Sequence, residues 1–492
     1  MSAQLFSYKP LYACPNSICI RLLHLNPSQA VCNPLTGDLE EYPLGNEEVG
    51  MFEALSYTWG DPLVSQDIIL GGKRFSIRQN LYDALRRLRL SNAPRILWVD
   101  SICINQLDNT EKSAQIPLMG QIYSTARSVI IWLGKGLSPE KDNRLHQLFL
   151  WASPARTLHP WRKGRLAWSL PPLLKVLDIF NHDVMSITTS ETIDITCEDI
   201  EAFLQLPWFS RRWIIQEAYN ARDVTIHFGC HQLSWKDFSL ALETLSTSHE
   251  EDCNSLQELS AYRLLIWRNI SNFDSVLESI ENFYGFAGMD DRDRIAAFLT
   301  LGWPHTSVGS DFLVNYAQSV EENYIRFAVH MINVGKGAEI LLAASHGCRG
   351  TAEAQNHLPS WVPDWRIVKR PNITSRPYGD FNVHVTDEGC VEFVGRKTHE
   401  FSYDQPMAAD DMHHNTIKPK SKIQWSKGDI ICNLVSWNGF QDMNKLIMRR
   451  CRKSNRFEIL GGAFNLAEVL ETNWENYISN VENPVKQRFI VK

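Results

Sequence analysis

The chain has 492 residues, too many for one ordinary core, and a soft prior of roughly 150 residues per domain expects about three. Its 49 basic and 56 acidic side chains give a net charge of −7 with no basic block, so nucleic-acid binding has no electrostatic footprint. Hydrophobic residues at 44% and charged residues at 21% suit a globular protein, and no window approaches about 18 uninterrupted apolar residues, so no membrane span is expected.

The 11 cysteines are scattered without a CxxC pair, which argues against a disulfide scaffold and against a zinc site of the usual spacing. Reduced thiols and no metal are the plain expectation. Met1–Phe6 shows no charged stretch leading into an apolar one, so no signal peptide is expected and a cytoplasmic location is the default.

In chain order, Ser17–Leu25 reads as a strand closed by the turn Asn26-Pro27-Ser28, within an N-terminal segment 1–50 that packs on the adjoining domain. Phe52–Tyr57 supplies a strand that Gly60 and Pro62 stop. Ile68–Ile77 looks like a hairpin turning on Gly71 and Gly72. Asn80 is placed to cap a helix whose apolar positions Leu81, Ala84, Leu85 and Leu88 follow the helical period. Ile96–Asp100 is a buried strand, Ile116, Met119, Ile122, Tyr123 and Ala126 line one face of a second helix, and Ser128–Leu133 is another buried strand. Strands alternating with amphipathic helices imply an α/β fold with a mostly parallel sheet covered on both faces. Ligands bind such sheets at the carboxyl ends of their strands.

Residues 135–205, rich in Trp, Pro and basic side chains near Trp161–Arg165, read as an insertion in a domain spanning 51–220. A mainly helical region covers 221–365, including a stretch opened by Asp290–Arg294 and another around Val320–Ile332. A linker containing His357–Trp365 leads to a β-rich C-terminal region, 366–492.

Three blocks carry the chemistry: Phe52–Asp61 (FEALSYTWGD), Leu97–Gln106 (LWVDSICINQ) and Arg211–Glu217 (RRWIIQE). Each hands a short apolar element over to polar and aromatic residues, the kind of junction where function tends to sit. No GxSxG, P-loop or GxGxxG occurs, so serine hydrolase, nucleotide triphosphatase and Rossmann dehydrogenase readings lack their basic signals. His413-His414 beside Asp410-Asp411 reads as an exposed loop.

Together these blocks resemble those of fungal heterokaryon incompatibility (HET) domain proteins. The resemblance rests on Glu53-x-Leu55-Ser56-Tyr57-x-Trp59-Gly60, on Trp98-x-Asp100-x-x-Cys103-Ile104-Asn105-Gln106, on Ile122-Tyr123-x-x-Ala126 leading to Trp132-Leu133-Gly134, and on Arg212-Trp213 followed by Gln216-Glu217. Asp293-Arg294 and Leu358–Trp365 resemble segments that come after this domain. Pro117 is a departure: it removes a backbone donor inside the second helix, which leaves the places of Glu111 and Gln115 open.

The HET domain is in turn similar to Toll/interleukin-receptor (TIR) domains. The resemblance implies a TIR-like parallel sheet with flanking helices, followed by a helical region and the β-rich C-terminal region. It implies self/non-self recognition and cell death, with protein partners of an incompatibility system and a homo-oligomer as candidate assembly. No resident cofactor is implied, and NAD+ is the candidate substrate. Trp213 with Glu217 four residues on resembles the tryptophan-to-glutamate spacing that carries the catalytic acid of NAD-cleaving TIR domains. A non-enzymatic signalling or assembly module and an accessory regulatory protein without a death role are the alternatives.

The residues themselves bear two readings each. On a helix Trp213 and Glu217 share a face, so a ring beside a carboxylate can hold a ribose and stabilise the oxocarbenium-like state of nicotinamide–ribose cleavage. Equally, Glu217 can pair with Arg211 or Arg212 while Trp213 is core. Ser56, Tyr57, Trp59 and Asp61 line a pocket wall or form a turn with one packed ring. Asp100 contacts a ligand hydroxyl or caps the next turn. Glu53 ranks below Glu217, as either a second acid of the cleft or the partner of a basic neighbour. Cys103 reads as a small buried apolar residue rather than a nucleophile.

Overall fold

A computed structural model of the chain describes residues 4–11, 18–30, 32–44, 51–152, 197–247, 276–299, 301, 312–346, 358–366, 383–401, 429–434, 445–451, 456–463, 478–480 and 486–491. The described residues fall into two compact units. The first holds Met1–Phe273, Gly285–Met289 and Ala296–Pro304, and the second holds Asp274–Tyr284, Asp290–Ile295 and His305–Lys492. Trp161–Arg165 and Asp410–His414 lie outside the described residues.

The first unit is built on a nine-stranded sheet. Its strands are β1 (Ile18–Leu25), β2 (Thr36–Leu44), β3 (Glu53–Tyr57), β4 (Ser65–Leu70), β5 (Lys73–Arg78), β6 (Arg95–Trp98), β7 (Ser128–Trp132), β8 (Val224–Phe228) and β9 (His231–Ser234), in the order β5-β4-β2-β1-β6-β3-β7-β8-β9. Every residue of β3 and β7 is buried, as expected of central strands covered on both faces. The strands expected near 53–58, 96–100 and 128–133 are neighbours, and β6, β3, β7 and β8 run parallel. The expectation of a mostly parallel sheet needs correction, because β1 runs antiparallel to both β2 and β6, and β9 antiparallel to β8. The sheet is mixed, with a parallel centre and flanks that are antiparallel except for the parallel pair β2–β4.

Register sets the level of the later site. Glu53–Tyr57 lie opposite Ser128–Trp132, so β3 and β7 end together at Tyr57 and Trp132. Trp98 pairs with Ala54, so Asp100, two residues on, falls level with Ser56. The hairpin β4–β5 turns on Gly71 and Gly72, whose φ of 58° and 74° a side-chain-bearing residue rarely adopts.

Helix α1 (Gln79–Leu88) buries Leu81, Ala84, Leu85 and Leu88, the expected positions. Asn80 is not its cap. Arg78 holds that place, and Asn80 instead donates from Nδ2 to Thr58 O at 2.6 Å and accepts from Trp132 Nε1 at 3.0 Å, tying the ends of β3 and β7 together. The short helix α2 (Asp100–Cys103) follows β6. The expected second helix is broken where Pro117 lies: α3 (Asn109–Gln115), a three-ten turn at Ile116–Leu118, then α4 (Met119–Thr125). Asp108 caps α3 by accepting from the amides of Thr110 and Glu111.

Glu111, left open by Pro117, is buried against Arg21 of β1. Arg21 reaches Glu111 Oε1 and Oε2 at 2.6 and 3.0 Å, and also donates to the carbonyls of Cys103 and Lys9. Glu111 Oε1 further accepts from Asn105 N at 2.7 Å, so one ion pair holds the second block onto β1. Gln115 donates to Cys19 O across the same seam. Cys19 is disulfide-bonded, against the expectation of thiols throughout, while Cys32, Cys103, Cys230 and Cys390 carry thiols.

Helices α5 (Pro139–Ala152), α6 (Cys197–Leu204), α7 (Ile214–Asn220) and α8 (Trp235–Thr247) also belong to this unit. Strands β8 and β9 lie in the stretch expected to be mainly helical and extend the sheet past residue 220. His227 of β8 is 5% exposed, and burial lowers its pKa to about 4 from the ordinary 6.5. Between those values the unfolded chain takes up a proton that the folded chain refuses, so stability is lost as pH falls from 6.5 toward 4. The urea midpoint should drop between pH 7 and pH 5, and His227→Gln should flatten that drop. An unchanged pH dependence in the variant would assign it to other groups.

In the second unit, helix α9 (Val320–Met331) begins with a capping box, Ser319 and Glu322 satisfying each other's backbone amides. It runs toward α10 (Gly337–His346) through a kink at Val334 and Gly335, the latter at φ 86°. The stretch Val320–Ser345 has the length and composition of a membrane span, but more than half of its apolar window is buried, as in a core helix. The expected linker is packed: Trp361 and Val362 are 1% and 0% exposed, and Trp365 stacks edge-on against Tyr324 and Phe327. Beyond it the expected β-rich region forms a seven-stranded sheet from β10 (Val383–Val385) to β16 (Lys486–Val491).

Candidate functional site

The three sequence blocks meet at the carboxyl ends of β3 and β6. Ser56, one residue before the end of β3, is 1% exposed. Its hydroxyl donates a short hydrogen bond to Glu217 Oε2 and accepts from Trp208 Nε1 at 2.8 Å. Glu217, also 1% exposed, sits in the first turn of α7, where its amide bonds to Trp213 O at 3.1 Å. Its other oxygen, Oε1, faces Arg211 Nη2 at 3.5 Å.

Asp100 enters from the end of β6. Its Oδ2 accepts from Trp59 Nε1 at 2.8 Å and its Oδ1 from Ser101 N at 2.7 Å, so it both opens the turn and joins the first block. The Tyr57 hydroxyl lies 2.6 Å from Ser101 Oγ. Gln106 Nε2 donates to Asp100 O at 2.9 Å and steadies the same loop.

Charge in this cluster is dominated by burial. Burial pushes the Glu217 carboxyl above the usual carboxylate range, against the pull of Arg211 and the Ser56 hydroxyl, with Asp100 adding to the rise. Burial likewise raises Asp100, opposed by Arg211 and Trp59. Arg211 is kept above its ordinary value: burial works against its charge, and Glu217 and Asp100 outweigh that. Two carboxylates therefore share one guanidinium. When all three are ionised they sum to −1, and the Arg78 guanidinium over the Trp59 ring stands beside them.

The structure thus places Ser56 and Glu217 in one hydrogen-bonded group and Tyr57, Trp59 and Asp100 in a second, the two coupled by charge through Arg211. Trp213 caps α7, half-buried, one turn before Glu217. Asp61 is part of neither group: it is exposed and accepts from Leu63 N at 2.9 Å, which is turn chemistry. Glu53 is excluded by strand direction. It stands at the amino end of β3, where Arg95 grips it at 2.6 and 3.1 Å and Arg127 at 3.1 Å. Burial raises its carboxyl, but the hydrogen bonds and charges of these arginines hold it below the usual range. Burial pushes the Cys103 thiol up to about 12, so it stays protonated and packs as an apolar group.

Trp208 and Ser101 are members of these groups that sequence reasoning does not single out. Trp208 follows Pro207 in a three-ten turn, a signal easily read as a helix start alone. Arg212, by contrast, is an anchor: it donates from Nη2 to Phe286 O at 2.6 Å and from its amide to Ala287 O at 2.8 Å. Among the described residues no group of three or more His, Cys, Asp or Glu is arranged to hold a metal ion.

Residues 52–217 match the family model described as heterokaryon incompatibility protein (HET). The match opens on the residue before β3 and closes on Glu217, the two ends that the Ser56–Glu217 hydrogen bond joins. The chain is also similar to heterokaryon incompatibility protein 6, OR allele, of Neurospora crassa, at 26% identity over 432 residues. That alignment covers 75% of this chain and 61% of the relative, so the chain spans about three fifths of the length of the curated relative it matches. No solved structure matches the chain at a significant level. By these motifs and this match, residues 52–217 form a domain similar to the heterokaryon incompatibility (HET) family.

Proposed function

We propose that this protein acts in heterokaryon incompatibility, recognising self and non-self, and that its HET domain is a TIR-like effector that triggers cell death by cleaving NAD+. The carrying observation is that Ser56, hydrogen-bonded to Glu217, and Asp100, coupled to Glu217 by charge, come one from each block to strand carboxyl ends. Nicotinamide leaves neutral from a cationic substrate, so the reaction needs no general acid. A fixed carboxylate that stabilises the developing oxocarbenium ion, with water as the acceptor, is sufficient chemistry. In this reading Glu217 supplies the charge, Ser56 orients it, and Trp59, Asp100 and Trp213 bind the nucleotide. The protein works in the cytoplasm with protein partners of the incompatibility system and copies of itself, and its β-rich C-terminal region serves recognition and control.

One observation favours a non-enzymatic signalling or assembly module: Glu217 is 1% exposed and already engaged by Ser56 and Arg211, as a structural ion pair is. Purified full-length protein incubated with NAD+ and assayed for free nicotinamide separates the two. Stoichiometric release of nicotinamide supports the enzyme. Intact NAD+ with a protein that still kills the expressing fungal host establishes the signalling module.

A further inference from the structure

Arg211 is the poorly held cation of this site. A guanidinium carries five donors in a rigid fork. Elsewhere in the same unit that fork binds a carboxylate at two points: Arg21 grips both oxygens of Glu111 at 2.6 and 3.0 Å, and Arg95 both oxygens of Glu53 at 2.6 and 3.1 Å. Arg211 makes one marginal contact, Nη2 to Glu217 Oε1 at 3.5 Å, and its Nη1 is buried with no hydrogen-bond partner among the described residues. Its side chain is 17% exposed against 2% for Glu217, so the arginine is the outer member of the pair.

The backbone beneath it is fixed. Arg211 pairs as a bridge with Ala287, Ala287 N donates to Ser210 O at 2.6 Å, and Arg212 N donates to Ala287 O at 2.8 Å. Taking the Arg211 side chain away leaves the carboxylates of Asp100 and Glu217, the hydroxyls of Ser56, Tyr57 and Ser101, the indole of Trp208, and the indole of Trp59, over which Arg78 lies at 5.1 Å. Two acids beside aromatic surfaces form a receptor for a flat, delocalised cation. The guanidinium is itself such a cation.

We infer that Arg211 is an internal plug: its guanidinium occupies the subsite of a planar cation of the N-alkylpyridinium class, and a ligand displaces it to reach Glu217. This rests on the proposed use of Glu217 and names the cationic half of the substrate as the group the pocket selects. A plugged site lowers apparent affinity by the fraction of molecules that are open.

The experiment uses the full-length chain, with 1-methylnicotinamide as the cationic probe and nicotinamide as its neutral isostere, both by calorimetry. Arg211→Gln should bind the cation about tenfold more tightly than the parent, as for a parent that is open about 10% of the time. Neutral nicotinamide should show no such gain, and adding Glu217→Gln should abolish it. Equal or weaker cation binding by folded Arg211→Gln overturns the plug. Because that substitution can unfold the protein, the parent is also labelled with phenylglyoxal and Arg211 followed by peptide mass. The cation should raise labelling of Arg211, and unchanged or reduced labelling overturns the proposal. Neither measurement needs turnover. Cation-driven exposure without NAD+ cleavage keeps the plug and sinks the enzymatic reading. Cleavage with Arg211 labelling unchanged does the reverse.

Discussion

Glu217→Gln should lower NAD+ consumption by about 10²–10³, the usual loss when one preorganised electrostatic contact is removed from a reacting centre. Glutamine keeps the size of the side chain and its bond to the Ser56 hydroxyl, but removes the negative charge that faces the developing cation. The fold should survive, because the lost ion pair is a single contact at 3.5 Å and the Arg211 side chain, 17% exposed, can turn toward water. Thermal melting of the variant checks this first. Toxicity in a fungal host should then fall in parallel with NAD+ consumption. If a folded Glu217→Gln protein remains fully toxic, the carboxylate is structural and the domain signals by assembly.

The second large effect concerns stability. Arg21→Met should destabilise the first unit by about 3–5 kcal/mol, since it leaves the Glu111 carboxylate buried without its partner. Arg21 and Glu111 side chains are 4% and 10% exposed, so solvent does little to screen the loss. Glu111 also holds Asn105 N, so loosening it frees the loop that carries Asp100 and Gln106. A unit of this size should lose roughly 10 °C in melting temperature. Combining Arg21→Met with Glu111→Leu should recover part of it, because replacing both charges by apolar groups removes the unpaired carboxylate. A loss below about 1 kcal/mol in the single variant would show that the pair is expendable and that β1 is held by its sheet neighbours alone.

Local signals in this sequence are legible because each depends on residues within a few positions of one another. Leu81, Ala84, Leu85 and Leu88 mark the buried face of α1 by period alone, and Gly71-Gly72 marks a hairpin by the φ it permits. The apolar runs of β3, β6 and β7 announce central strands, and the motif blocks announce the resemblance that the family model matches over residues 52–217. Signals with two physical uses mislead. Asn80 has the chemistry of a cap, but two hydrogen bonds to strand ends 22 and 52 residues away claim it. Leu358–Trp365 has the Pro-rich look of a linker, yet its apolar side chains are core.

The order of amino acids alone is therefore enough to specify the elements, their faces and the identity of the junctions that carry polar residues. Which acid belongs to the site is settled only by the folded chain. Glu53 and Glu217 are equivalent as residue types, but strand direction puts Glu53 at the amino end of β3, under Arg95 and Arg127. Sheet order brings Glu217 to Ser56 across 161 residues of chain, beside an arginine whose Nη1 has no hydrogen-bond partner among the described residues. Such pairings depend on which strands become neighbours and in what register, and no short stretch of sequence encodes that choice.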